Sequence, residues 1–371
     1  MKQKNNTIML VGGGTGGHAG PILAIYQELK KTQPNLSIYV VGVGSEEEKH
    51  FFDGLPLYRK IKSGKLHRYV TLKNIVESLK FSYGFVESIF LLLSLKPKLI
   101  FSKGGYTSMP LISAANILKI PYFLHESDIE MGKTNRIMSK KAEKVFVNFP
   151  TKYYPGIAQQ KLVWSGPILR HFADTGKDPK AFFKFSESRP VIFMTGGSQG
   201  SLSLTKGLID IAPKLLEKYD IIHQAGKHSI EIANKFWSKL PPEDKKHYYL
   251  AEFLSIENDT DMMWEAIKAA DLIITRAGST IAEAAILGKS MILVPWRHAA
   301  QDHQLKNAQY LVESNAAVMI KEEAFTPATL LSAIDVAFSK KDHNGKTISE
   351  VFPKDGVAKI CDSIIKEIEE K

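Results

Sequence analysis

Short apolar runs, rich in β-branched residues, recur along this chain. Each ends in glycine or a polar cluster, and an amphipathic stretch follows most of them. Residues 7–11 predict a strand, Gly12 to His18 a glycine turn, and the stretch to about Lys31 a helix with Ile22, Ile25, Tyr26 and Leu29 on one face. Residues 37–41, 98–102, 121–124 and 145–148 predict further strands. Residues 74–95 read as one long helix, or as two short ones broken at Gly84. Residues 163–189 read as a linker, punctuated by Gly166-Pro167, Gly176 and Pro179.

The alternation then restarts. Residues 191–195 predict a strand, Gly196 to Gly200 a second glycine loop, and 202–218 a helix. Strands follow at 221–224, 248–251, 272–275, 291–294 and 316–320, with helices at 326–338 and 347–370. A strand–helix alternation that runs twice predicts an α/β fold of two similar doubly wound domains, residues 1–165 and 166–350, of the Rossmann-like kind that the family resemblance below implies. Such sheets bind ligands outside the carboxyl ends of their strands.

The stretch 270–308 is the most informative. Gly278 breaks a strand, Ser279 and Thr280 are positioned to cap a helix, and Gly288 ends it. A helix start there offers unpaired N–H groups and a positive dipole end, an anion site suited to a diphosphate. Glu283 lies just inside that helix, where a carboxylate repels phosphate but accepts from a vicinal diol such as a ribose. Asp302, His303, Gln304 and Asn307 follow the next strand. An ordinary αβ unit explains the cap alone; the acid and the polar cluster point to a nucleotide sugar.

Gly12, Gly14 and Gly17 match G-x-G-x-x-G, but the second strand ends in Gly42 rather than in the acid that would hold an NAD ribose. His18, at a helix start, is a candidate general base whose imidazole the dipole would keep neutral; the bland reading is a capping histidine. Glu126 closes another strand and is suited to a sugar hydroxyl or to orienting a base, with Asn135 and Arg136 at the next helix start.

Composition narrows the class. The 371 residues are 44% hydrophobic and 24% charged, as in a soluble globular protein, and the single cysteine excludes an internal disulfide. No apolar N-terminal segment suggests a signal peptide, and the greasiest stretch, 88–95, reads as too short to span a bilayer. The net charge of +10 is uneven: residues 1–165 hold 23 Lys and Arg against 11 Asp and Glu, so the first half carries the excess. With 74–95 beside it, the charge suggests an anionic membrane surface, against the alternatives of a well-solvated face and a core-packed helix pair. No nucleic-acid motif accompanies it.

Gly12 to His18 as GGGTGGH, Gly104-Gly105-Tyr106, His125-Glu126, GGSQG at Gly196 to Gly200, Arg276-Ala277-Gly278, Glu283 and Asp302-His303-Gln304 together resemble the MurG family of glycosyltransferase family 28. The resemblance covers about 8–320. It implies a GT-B fold with an interdomain cleft, and a C-terminal helix, 351–371, that packs back on the first domain. It implies inverting transfer of N-acetylglucosamine from UDP-GlcNAc to the 4-hydroxyl of undecaprenyl-diphosphate-linked MurNAc-pentapeptide, on the cytoplasmic face of a bacterial membrane. Ser198, Gln199, Gly278, Ser279 and Thr280 would meet the diphosphate, backbone near Leu254 the uracil, Glu283 the ribose and Gln304 the sugar hydroxyls. Thr15, Gly16, Gly17, His18, Tyr106 and Glu126 would line the acceptor side, with His18 and Glu126 catalytic. Asp128 stands where the family has Asn, and Arg170, the expected phosphate contact, lies one place further from Pro167 than in the family. Asn135 completes the acceptor set. No cofactor or metal is implied; the Asp-x-Asp at Asp259 and Asp261 reads as a helix cap. A family member with another lipid acceptor, and a nucleotide-binding protein without activity, are the alternatives.

Overall fold

A computed structural model describes residues 6–14, 16–64, 72–169, 176–257, 260–339 and 348–370. The chain forms two compact units, Met1–His171 with Pro353–Lys371, and Phe172–Phe352.

Unit 1 carries a seven-stranded parallel sheet of β1 (Thr7–Val11), β2 (Ser37–Gly42), β3 (Tyr58–Lys60), β4 (Leu99–Ser102), β5 (Tyr122–Glu126), β6 (Lys144–Val147) and β7 (Leu162–Trp164). The order is β3-β2-β1-β4-β5-β6-β7. Residues on β1, β4 and β5 are buried throughout, which is why these strands read as unbroken apolar runs. β7 corrects the sequence reading: Val163 and Trp164, expected in a linker, pair with Phe146 and Val147 at the sheet edge. The helices are α1 (Gly16–Thr32), α2 (Glu46–Phe52), α3 (Leu72–Leu95), α4 (Met109–Leu118) and α5 (Lys133–Met138).

The C-terminal helix Gly356–Glu369 also belongs to unit 1. It buries Ile360, Cys361 and Ile364, and Lys98 donates to the Ile368 carbonyl at 2.9 Å. It is shorter than the expected 347–370, because Pro353 interrupts the path; 340–347 lies outside the described residues.

α3 is one helix, not two. Gly84 does not break it but lets it lie on the chain at Lys62: an added β-carbon would fall 1.7 Å from the Lys62 carbonyl oxygen. Ser88 and Leu92 face inward, whereas Ile75, Leu79, Tyr83, Val86, Phe90 and Leu93 are each at least half exposed. Their spacing of three or four residues puts them on one stripe. The core-packed reading therefore fails for that stripe. The length argument also fails: 74–95 is long and apolar enough, by length and composition, to cross a bilayer.

Unit 2 carries a six-stranded parallel sheet in the order β10-β9-β8-β13-β14-β15. Its strands are β8 (Val191–Thr195), β9 (Asp220–Gln224), β10 (Tyr248–Ala251), β13 (Leu272–Thr275), β14 (Ser290–Leu293) and β15 (Val318–Met319); β11 (Ile256–Glu257) and β12 (Thr260–Asp261) form a separate antiparallel pair. The helices are α6 (Leu202–Leu216), α7 (Ile230–Lys239), α8 (Pro242–Lys245), α9 (Met262–Ala269), α10 (Thr280–Ile286), α11 (His303–Glu313) and α12 (Pro327–Ser339). Leu204, Leu208, Ile211 and Leu215 repeat at four-three-four spacing on α6 and pack with Leu330 and Ile334 over Ile192, Met194 and Ile274.

In each unit the strand order reverses at one place, between β1 and β4 in unit 1 and between β8 and β13 in unit 2. The loops leaving those strands flank the crevice where doubly wound sheets take ligands.

Candidate active site

In unit 1 the two loops at the reversal begin at 12–14, after β1, and at 103–105, after β4. His18 stands in the first turn of α1. Its ring lies against Gly105, where an added β-carbon would fall 2.9 Å from His18 Cε1. Its Nδ1 is buried and meets no hydrogen-bond partner among the described residues. The imidazole is held neutral, its pKa lowered to about 3. The largest cause is burial, then the charge of Lys103. Burial, and not the helix dipole alone, thus does what the sequence reading ascribed to the dipole.

Lys103 is a site residue that sequence reasoning missed. It is buried at the end of β4 and donates from Nζ to Ser127 Oγ. Burial lowers its pKa, while Glu126 and Asp128 pull it back up. The available signal was a lysine directly after a wholly buried strand, Leu99–Ser102.

Glu126 corrects a second expectation. Its Oε1 accepts from the N–H groups of Ser127 (2.8 Å) and Asp128 (3.0 Å), and its Oε2 from Gly132 N (3.1 Å) and Asn135 Nδ2 (2.9 Å). Its lone pairs thus serve the loop 127–132, leaving little for a sugar hydroxyl. Burial first, then Asp128, raises its pKa. Asn135 is likewise a brace, donating also to the His125 carbonyl at 3.2 Å. Tyr106 lies beside Gly14, and its carbonyl accepts from Ser63 Oγ at 2.7 Å. Gly17 sits in the first turn of α1, after Gly16. Thr15 and Arg170 lie outside the described residues.

The first glycine turn holds a surprise. The Gly14 N–H, in the turn matched to G-x-G-x-x-G, donates to Glu48 Oε1 at 2.6 Å. Glu48 is fully buried and comes from α2. Ser45-x-x-Glu48 was legible as a capping box, and Ser45 does accept from Glu48 N, but the carboxylate turns to the glycine loop instead of the cap.

In unit 2 the loops at the reversal are 196–200 and 276–279. Gln224, not singled out from sequence, ties the β8 end to the β10 side: its Nε2 donates to Thr195 Oγ1 (2.9 Å) and its Oε1 accepts from Leu254 N (3.0 Å). The Leu254 N–H, expected near a base, is therefore committed. Ser198 and Gln199 are held through their carbonyls by Lys227 N (3.2 Å) and His228 N (3.0 Å), leaving Gln199 on the surface.

Gly278 is open: its φ is not positive and an added β-carbon would meet nothing within 4 Å. The fold does not demand glycine there. The turn is tight, with Gly278 N donating to the Arg276 carbonyl at 2.9 Å. Ser279 already has helical torsions and makes no side-chain cap, contrary to expectation; Thr280 opens α10 and Glu283 stands half-buried in its first turn. Arg276 was quoted from sequence without a role. It reaches Ser201 Oγ (2.8 Å), Ser203 Oγ (2.9 Å), the Val294 carbonyl (2.9 Å) and Glu322, whose other oxygen takes Arg297 N at 3.1 Å. These bonds lower the Glu322 pKa despite its partial burial. Gln304 accepts from Trp296 N at 2.9 Å, and Asn307, almost wholly buried, holds the Ala277 carbonyl at 3.0 Å. Gln301 and Asp302, neither glycine, have φ of 56° and 54°, strain of the kind found at ligand loops. Asp261 caps α9, accepting from Met263 N (2.9 Å) and Trp264 N (3.2 Å); Asp259 lies outside the described residues. Among the described residues no three His, Cys, Asp or Glu side chains are grouped to hold a metal ion.

Two family models match the chain. Residues 8–147 match the glycosyltransferase family 28 N-terminal domain, and residues 191–362 the family 28 C-terminal domain. The chain is 34% identical over 373 residues to the UDP-N-acetylglucosamine--N-acetylmuramyl-(pentapeptide) pyrophosphoryl-undecaprenol N-acetylglucosamine transferase of Lachnoclostridium phytofermentans, covering 98% of each chain. It is 33% identical over 331 residues to the transferase of that name in Clostridium kluyveri, covering 88% of this chain and 90% of that one. Among solved structures, Acinetobacter baumannii MurG shares the fold with a TM-score of 0.69 and 24% identity, covering 97% of this chain and 99% of that one. A UDP-GlcNAc 2-epimerase from Neisseria meningitidis bound to UDP-GlcNAc shares it with a TM-score of 0.66 and 13% identity, covering 98% and 100%.

Proposed function

The chain belongs to glycosyltransferase family 28, to its MurG transferases, and from that premise we infer how its residues divide the reaction. It transfers N-acetylglucosamine from UDP-GlcNAc to the 4-hydroxyl of lipid-linked MurNAc-pentapeptide, with inversion at the anomeric carbon. Unit 2 takes the donor. The observation that carries this assignment is Gly278: a glycine that the fold does not require, at a strand-end turn beside a half-buried acid. The diphosphate meets backbone N–H groups of Ser198, Gln199, Ser279 and Thr280, with Gly278 leaving room for its approach; Glu283 accepts from the ribose, and Gln304 faces the sugar. Metal takes no part in this proposal; amide dipoles receive the leaving charge.

Unit 1 takes the acceptor. The 4-hydroxyl oxygen forms a bond to the anomeric carbon while the bond from that carbon to the diphosphate oxygen breaks, its electron pair leaving with UDP. The hydroxyl proton goes to the His18 imidazole. A group held so far below neutrality is a weak base, and an acceptor diphosphate bound beside it would raise its proton affinity by charge. Glu126 and Asn135 shape the neighbouring loop and touch no reacting atom.

The protein lies on an anionic membrane surface through α3. Its exposed apolar stripe supports this, with exposed Lys62 nearby, a cation of the kind that adds about 1 kcal/mol; Lys80 is paired with Glu77 at 2.7 Å. Its other face packs on the protein at Gly84, so the helix lies on the surface and does not cross it. The whole reading is tested by incubation with UDP-GlcNAc and a lipid I analogue. Equal release of UDP and disaccharide-lipid is expected; tight UDP-GlcNAc binding without product would reject the acceptor.

A further inference from the structure

Two glycine turns stand at equivalent places in the two units, yet they differ in what fills them. In unit 2, Gly197 faces open space, with no atom within 4 Å of an added β-carbon. In unit 1 the space is taken by the carboxylate of Glu48. Three segments donate to it: Gly14 N (2.6 Å) from the turn, Val43 N (3.2 Å) and Gly44 N (2.7 Å) from the end of β2, and Tyr58 OH (2.7 Å) from β3. The fit is tight. A β-carbon on Gly13 would fall 2.1 Å from Glu48 Oε1, and one on Gly42 2.3 Å from Oε2. Both glycines are glycines because a carboxylate lies against them. A buried carboxylate holding backbone N–H groups is what a phosphate does in a nucleotide-binding turn.

We infer that Glu48 is a built-in anion: a positioning residue that sets the first glycine turn, and with it His18, while keeping a nucleotide phosphate out of unit 1. The inference rests on the assignment of the acceptor to unit 1 and of the nucleotide to unit 2. His18 lies four residues after Gly14, in the first turn of the helix that the glycine turn launches. A shift of the turn therefore moves the imidazole, and small misplacement of a base is costly to rate. The same device gives a reason why one chain with two glycine loops binds one nucleotide.

Glu48→Gln and Glu48→Ala test it, by steady-state transfer from UDP-GlcNAc to a lipid I analogue, calorimetric UDP binding, and thermal melting with and without sodium formate. Gln keeps the size of Glu but turns an NH2 group toward donors; Ala leaves a hole that formate fits. The expected result is a kcat at least about tenfold lower in both, with UDP affinity within about twofold of the unaltered protein. Formate should restore turnover to Glu48→Ala and not to Glu48→Gln. Formate should also raise the melting temperature of Glu48→Ala but not of the unaltered protein, a readout that needs no turnover. A Gln variant with unaltered kcat, or an Ala variant indifferent to formate in melting, overturns the inference. If the unaltered protein transfers no sugar while formate still stabilises Glu48→Ala, the functional reading fails and the built-in anion stands. Should Glu48→Ala not fold, Tyr58→Phe removes one of the four donors. It should lower kcat about threefold with UDP affinity unchanged, and an unchanged kcat overturns the inference.

Discussion

The His18 ring lies against the backbone of Gly105, its Cε1 edge nearest: a β-carbon at Gly105 would stand 2.9 Å from His18 Cε1, and the φ of Gly105 is +79°. Two constraints thus forbid any other residue there, one from the turn and one from the imidazole. Gly105→Ala should lower kcat by about 10²-fold by displacing the ring, while UDP affinity stays unchanged. Steady-state kinetics beside UDP calorimetry checks this; a parallel loss of UDP affinity would contradict it.

Gly278 and Gly200 make a matched pair in unit 2. Gly278→Ala costs the fold nothing, because its φ is ordinary and the space is open, but it should raise the KM for UDP-GlcNAc about tenfold. Gly200 has a φ of +82° and its β-carbon would fall 2.2 Å from the Ala225 carbonyl oxygen, so Gly200→Ala should destabilise by about 3 kcal/mol. The melting temperature should fall for Gly200→Ala and hold for Gly278→Ala, so a raised donor KM without loss of stability singles out Gly278 as a ligand-facing position.

Stability should fall steeply in acid. Burial lowers the pKa of His223 from 6.5 to about 3, and the ring sits between Tyr248 OH (2.8 Å) and Thr205 Oγ1 (3.3 Å). Below pH 6.5 the unfolded chain takes up a proton that the folded one refuses until about pH 3. The stability is therefore complete above pH 6.5 and is lost as pH falls through that window, at about 1.4 kcal/mol per pH unit. Urea titrations from pH 7 to 4 should show a shallower slope for His223→Gln. His18, lowered to the same value, adds its own share, so the slope of the unaltered protein should exceed that of one histidine.

If α3 is the membrane-facing element proposed above, changes on its stripe should separate membrane binding from chemistry. Leu79→Asp with Phe90→Asp places charges at positions 66% and 68% exposed, so folding should be unaffected. Sedimentation with vesicles containing anionic lipid should fall about tenfold or more, while turnover of a short-chain, water-soluble acceptor stays within about twofold. Loss of turnover with that acceptor would place α3 in the chemistry instead.

Most strands were legible because those buried on both faces read as apolar runs that glycine ends; β3, whose residues Tyr58–Lys60 are half-buried or exposed, gave no such run and was missed. Thr7–Val11 and Leu272–Thr275 match the expectation to the residue. What the sequence did not yield was contact across distance. Glu48 is 34 residues from Gly14, and its neighbours Glu46 and Glu47 read as the same helix start. Glu126 looked catalytic because an acid at a strand end has the same letters whether it faces a ligand or its own loop. The stripe on α3 has one periodicity for a core and for a membrane; only Gly84 against Lys62 settled which face turned inward. Lys103 was visible, but its burial was not.

The most direct measurement is the proton NMR spectrum of the product formed from UDP-GlcNAc and a lipid I analogue. The account predicts a GlcNAc residue joined to O4 of MurNAc, with the large anomeric coupling of a β-linkage and UDP released in equal amount. An α-linked product, or UDP released with free GlcNAc and no disaccharide, would contradict direct displacement by the acceptor hydroxyl.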